Sequence, residues 1–276
     1  MKKPVLILML IAITYLSFGQ RWRRRYDEGS VPERNGLPSW EVDQTLPKDT
    51  FTFVRVIYDS HSGRYGRVGG PQRWAIDYPD ADLNFSYRLK EMTSLNVDPN
   101  GKTLRLTDPE VFNYPFLYIV EPGSLSFSEE EAQNLRRHLL NGGFLMFDDF
   151  WGEADYANLY YEMKQVFPEF EPQELSLDHP IFNIVFPLAE KPQIPNVGVG
   201  TESQWTGRTW ETADSKEVHY KGIFDEKGRM MVIICHNTDL GDGWEREGDN
   251  IYYFKEFSEK KAYPLGINII FYAMTH

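Results

Sequence analysis

YPFLYIVEPGSLSFSEEEAQNLRRHLLNGGFLMFDDFW, residues Tyr114 to Trp151, reads as strand, helix, strand. Phe116–Val120 (FLYIV) is a short apolar run rich in aromatic and β-branched residues, and Gly143–Phe147 (GFLMF) is a second apolar run. Runs this continuous suit strands covered on both faces, as in a parallel sheet flanked by helices. Glu129–Leu140 between them is amphipathic. A capping box opens it, either Ser126 with Glu129 or Ser128 with Glu131: the serine oxygen takes a free backbone N–H and the glutamate reaches back. Gly142-Gly143 ends it, because glycine tolerates the left-handed turn required there. The unit is a βαβ crossover, which is right-handed in nearly all proteins.

Working outward, Phe51–Tyr58 (FTFVRVIY) alternates enough for a first strand, Asp82–Leu95 reads as a helix and Thr103–Leu106 as a short strand. Gly63–Pro71 (GRYGRVGGP), with Arg55, Arg64, Arg67 and Arg73 near it, offers backbone N–H groups to an anion. It matches no nucleotide-binding motif, so a surface loop is the favoured reading. On the other side, Tyr156–Phe167 is a helix stopped by Pro168, and Pro180 holds His179 extended in a turn. Lys191–Trp210, rich in Pro, Gly and Trp, reads as a long loop. Lys216–Ile223 and Arg229–Cys235 flank Asp225–Gly228 as a hairpin, and Ala262–Met274 is an apolar closing helix. The predicted fold is a three-layer, doubly wound α/β domain over residues 49–276, with a mostly parallel sheet and an added C-terminal hairpin and helix. Residues 20–48 read as a linker or surface arm.

The chain has 276 residues, 41% hydrophobic and 15% aromatic, which suits a folded protein. Met1–Gly19 has the form of a secretory signal peptide: Lys2 and Lys3, an apolar core, then small residues Ser17 and Gly19. This predicts export to the periplasm or the extracellular space, with an uncleaved N-terminal anchor as the other reading. The apolar run is short for a membrane span, so no stable span is expected after cleavage. The formal charge of −12 argues against nucleic acid as a partner. The basic run Arg21–Arg25 reads as a solvated tail. Cys235 is the only cysteine, which excludes an intramolecular disulfide; within MMVIICH it reads as a buried, inert thiol.

The stretches PQRWAIDYPDADLNFSYRL (71–89), 114–152, DHPIF (178–182) and LGINIIFYAM (265–274) carry a resemblance to a bacterial domain-of-unknown-function family of exported or membrane-tethered proteins. Its fold is similar to class I glutamine amidotransferases, which implies a flavodoxin-like α/β domain. The family has no established activity. Amidotransferases place a nucleophilic Cys in a tight turn after the strand matching Gly143–Phe147. Here Asp148-Asp149-Phe150-Trp151-Gly152 occupies that place, and Cys235 lies in another strand. Acyl transfer through a covalent intermediate loses its main actor.

In doubly wound sheets ligands bind beyond the carboxyl ends of the strands. Glu121, Asp148, Asp149 and Glu153 fall there, and His179 is predicted to reach the same edge from a later loop. Carboxylates with one imidazole can hold a divalent metal or act as an acid/base pair. Asp149 and His179 are the candidate catalytic pair, and Glu121, Asp148, Trp151, Glu153 and Trp244 the candidate ligand-binding set. Trp74, Trp205 and Trp210 also lie in or beside predicted loops. The plainer reading is that the aspartates cap the next element and the tryptophans plug the core. The leading function is an exported amidotransferase-like domain, without the nucleophile, that binds a small ligand or an envelope protein or polysaccharide. The alternatives are a metal- or carboxylate-dependent hydrolase using Asp148, Asp149 and His179, and a structural subunit of an envelope assembly. The sequence names no cofactor and no particular metal.

Overall fold

A seven-stranded sheet forms the middle layer of the computed structural model, which describes residues 34, 36–45, 49–60 and 72–276. The signal-like segment and the glycine-rich 63–71 stretch, with Arg64 and Arg67, lie outside the described residues. The strands are β1 (Val54–Ile57), β2 (Lys102–Arg105), β3 (Phe116–Val120), β4 (Phe144–Asp148), β5 (Gln173–Glu174), β6 (His219–Phe224) and β7 (Met230–His236). Their order is β2-β1-β3-β4-β7-β6-β5. The first five in that order are mutually parallel, and β6 pairs antiparallel with both β7 and the edge strand β5.

Every residue of β3, β4 and β7 is buried, as the continuous apolar runs require of strands covered on both sides. Helix α1 (Asp80–Met92), the short α5 (Leu240–Glu245) and the closing α6 (Tyr263–Thr275) share one face. There they pack with Phe116, Tyr118, Phe144, Met146 and Ile233. Helices α2 (Glu129–Leu140) and α3 (Glu153–Val166) touch each other, and α2 contacts β4 and β7. The mixed α/β, mostly parallel architecture is therefore as the sequence predicts.

The α2 boundaries match the local signals. Ser128 Oγ accepts Glu131 N–H at 3.2 Å, and Glu131 Oε2 accepts Ser128 N–H at 2.8 Å. Gly142 takes φ 103° just past the end.

Two expectations need correction. The hairpin is not an appendage, because β7 inserts beside β4 with Val232 opposite Leu145 and so lies within the parallel set. Its seven buried residues need cover on both faces, which only an interior position supplies. The Lys191–Trp210 stretch is not all loop, since Val197–Thr206 forms helix α4, capped by Asn196 Oδ1 accepting Val199 N–H at 3.0 Å. Its glycines and β-branched residues lower helix propensity. Gly200, however, lets Tyr253 close onto the helix, where a Cβ would lie 2.5 Å from the ring. Tertiary contact overrides propensity there. Ahead of α6 the chain also winds through Ile251–Tyr253 and a π-helical Phe254–Ala262 that the apolar pattern did not indicate.

Candidate functional site

The β3–β4 ladder pairs Val120 with Asp148, and Glu121 N–H donates to Asp148 O at 3.1 Å. Glu121 and Asp149 therefore leave their strands side by side. Both adopt left-handed backbone, at φ 47° and 53°, which costs a residue carrying a Cβ about 1–2 kcal/mol. Asp77 (φ 61°) and Asn237 (φ 63°) are the other such non-glycine residues among those described. All four gather at the carboxyl edge of the parallel strands, and strain collected at one edge points to function.

The turn starts between the two aspartates and sends them to different places. Asp148 is fully buried and structural. Its Oδ1 accepts Leu240 N–H at 3.2 Å, and its Oδ2 accepts Gly241 N–H at 2.9 Å and the Tyr118 hydroxyl at 3.0 Å. It tethers the start of α5. Burial pushes its carboxyl up to about 6, against the pull of these donors.

Asp149 instead lines a cavity of about 190 Å³ with Arg73, Glu121, Trp151, Asp155 and Glu211. Ser124 and Thr212 complete its polar lining. Arg73 is ion-paired to Glu121. Glu211 Oε1 accepts Asn196 N–H at 2.8 Å. The Trp151 indole N–H is buried and finds no acceptor among the described residues. Burial first, then the charges of Glu121, Asp77, Asp148 and Glu211, drive the Asp149 carboxyl well above its ordinary range. Burial likewise raises Glu121, offset in part by Arg73, and raises Glu211. Four carboxylates against one guanidinium make this a cation-seeking pocket.

The β7 end holds the Asp149 turn in place. Asn237 N–H donates to Phe150 O at 3.0 Å, and Asn237 Oδ1 accepts Gly152 N–H at 2.8 Å. His236 stacks on Phe150 and Tyr156 at 4.9 Å each, with Nε2 3.1 Å from Gly152 O. Its burial lowers the imidazole to about 4, so the ring is a neutral packing element.

The remaining predicted residues go elsewhere. His179 caps the Pro180–Phe182 turn, its Nδ1 accepting Ile181 N–H at 3.3 Å, and its ring meets Tyr272 at 5.4 Å and Phe224 at 6.4 Å. Phe224 pairs with Met230, the first residue of β7, and Tyr272 packs on Phe144, the first residue of β4. His179 thus sits where the parallel strands begin, and Asp149 where β4 ends, separated by a five-residue strand of roughly 15 Å. The expected meeting of Asp149 and His179 does not occur, because the 180–182 turn anchors on the closing helix. Trp244 is likewise not at a surface. It is 1% exposed, against Phe85 at 4.4 Å and Tyr118 at 5.9 Å. Glu153 starts α3 with an exposed side chain, and its N–H donates to Asp214 at 3.2 Å. Of the predicted set, Glu121, Asp149 and Trp151 converge in one cavity.

Sequence reading missed Asp77, Asp155, Glu211, Asp239 and Asp242, and placed Arg73 only beside the glycine-rich stretch. The signal for two of them was available: NTDLGD (237–242) follows β7 directly, and a parallel β7 would have brought those aspartates to the β4 edge. An α/β protein with a carboxylate-rich crevice and no thiol at the strand turn is the class these features define. Residues 52–274 match the family described as Domain of unknown function (DUF4159), and the chain belongs to that family. No curated protein matches the sequence.

Proposed function

We propose that this protein is an exported binding protein of glutamine amidotransferase-like fold that holds an amine-bearing, hydroxyl-rich small ligand, such as an amino-sugar unit of an envelope polysaccharide. The observation that carries the reading is the cavity beside the left-handed Glu121–Asp149 pair, with four carboxylates facing one guanidinium. Carboxylates accept strongly from ammonium and hydroxyl groups, and the Trp151 ring offers a face for a sugar. The strand order β2-β1-β3-β4 agrees with a flavodoxin-like arrangement, whose ligand crevice is at this edge. The Asp149 turn carries no thiol, and Cys235 is buried at 0% exposure within β7, which supports binding without acyl transfer. Among the described residues no helix is long and apolar enough to cross a membrane.

Calorimetric titration with glucosamine and with glucose tests the ligand class. Glucosamine is expected to bind and glucose to bind far more weakly. Asp149→Asn is expected to weaken glucosamine binding by about 10–100-fold, the value of one charge-assisted hydrogen bond, while leaving the fold at least as stable because like-charge repulsion falls. Equal binding of the two sugars, or no effect of the substitution, would sink the proposal.

Export rests on Met1–Gly19 and is tested separately. Intact-mass measurement of the native protein should find a chain beginning near Gln20. A full-length chain confined to the cytosol would end that part of the reading.

A further inference from the structure

Behind the cavity, three carboxylates from two distant parts of the chain meet. One oxygen from each of Asp77, Asp239 and Asp242 lies within 4.8 Å of the others. That spread suits oxygens around one hard ion with bonds of about 2.0–2.6 Å. Asp239 and Asp242 come from the start of α5, and Asp77 from the segment before α1.

Observations beyond the clustering point to a ligand. The Asp77 Oδ2 atom is shut off from solvent and has no hydrogen-bond partner. A buried carboxylate oxygen left so is costly unless something positive meets it. Asp149, over nine-tenths buried, is the neighbouring charge that acts most strongly on Asp239. No hydrogen bond or ion pair reaches the Asp149 carboxylate among the described residues. Gly241 keeps the space open: a Cβ there would lie 2.7 Å from Asp77 Oδ2 and 3.0 Å from the Tyr118 hydroxyl oxygen.

Of the nearby cations, Arg55 is committed elsewhere and Arg246 is divided among several carboxylates. Arg55 is held by Asp82 and by the Trp74 and Ile76 carbonyls. Arg246 touches Asp242 at 3.4 Å but is shared with Glu245 and Asp249. Asp242 Oδ2 accepts Val197 N–H at 2.9 Å, and Asp239 Oδ1 accepts Asp242 N–H at 2.7 Å. Each carboxylate oxygen has two lone pairs, so these bonds leave acceptor capacity for an ion.

We propose that Asp77, Asp239 and Asp242 bind one hard divalent cation, Mg²⁺ or Ca²⁺, which clasps the segment before α1 to the start of α5 beneath the ligand cavity. The donor set is oxygen only, which selects these ions over zinc or copper. The clasp stands independently of the cavity ligand, and its test contains no amine.

The full chain, stripped with a chelator, is titrated with CaCl₂ and separately with MgCl₂, with calorimetry and thermal melting as readouts. Saturable binding at a single site is expected for at least one cation, with a higher melting temperature when it is bound. Asp77→Asn is the informative variant. It is isosteric, asparagine tolerates left-handed backbone, and no hydrogen bond to the Asp77 carboxylate is lost. It should weaken binding at least ~10-fold and, without metal, melt no lower than the parent chain. Should that variant fail to fold, Gly241→Ala replaces it, because its methyl group crowds Asp77 Oδ2 and should weaken binding in the same way. No heat and no melting shift with either cation at millimolar concentration would overturn the proposal. So would parental affinity in the variant that folds.

Discussion

Arg55→Met is expected to lower the unfolding free energy by about 3–5 kcal/mol, the usual result of removing one partner from a buried ion pair. Arg55 is fully buried, and its Nε lies 3.1 and 3.0 Å from the two Asp82 oxygens. Its Nη1 donates to Trp74 O at 3.1 Å and Ile76 O at 2.8 Å, and the guanidinium sits 4.9 Å from the Tyr118 ring centre. The substitution strands Asp82, whose carboxyl burial already raises against the pull of Arg55. It also frees the carbonyls that hold the segment carrying Arg73 and Asp77. Urea denaturation measures the loss. The double variant Arg55→Met/Asp82→Leu should recover part of it, since the stranded charge is gone while the two carbonyls stay unpaired. A loss under about 1 kcal/mol for the single variant would mean that the pair is solvated and does not hold the site.

Trp244→Ala should cost a similar amount, about 3–5 kcal/mol, through the cavity it leaves in the core. The ring packs against Phe85, Tyr118 and Phe53, and its Nε1 donates to Ala262 O at 3.1 Å. Helix α6 approaches closely at Gly266, where a Cβ would lie 2.7 Å from the Trp244 ring. Removing the ring therefore loosens α1, α5 and α6 together. Trp244→Phe keeps much of the volume and should be markedly milder. Thermal melts followed by circular dichroism give the ranking. If alanine is tolerated with little change in stability, Trp244 is not a core residue and its place in a ligand surface returns.

Local chemistry was readable where neighbouring residues settle the matter among themselves. Ser128 and Glu131 are three apart and satisfy each other's backbone, so the α2 start is written within one turn. The glycines after Leu140 mark its end for the same reason. Glu121 and Asp149 were placed together because one βαβ unit carries both. His179 defeated the same reasoning. Its turn is local, but the edge to which that turn docks depends on Tyr272 and Phe224, residues far along the chain.

From the sequence by itself came the β3–α2–β4 unit, the α/β class with a mostly parallel sheet and the absence of a thiol at the β4 turn. Hydrophobic run length, capping residues and glycines encode these, and each acts over a few residues. Only the tertiary structure decided that β7 lies beside β4, that Asp77 meets Asp239 and Asp242, and that Trp244 faces inward. Closing a long loop costs little more than closing a short one, so chain separation hardly restrains which segments meet. The choice falls to burial. An entirely buried β7 needs cover on both faces, and the place that provides it carries its trailing aspartates to the edge where Asp77 and Asp149 already stand.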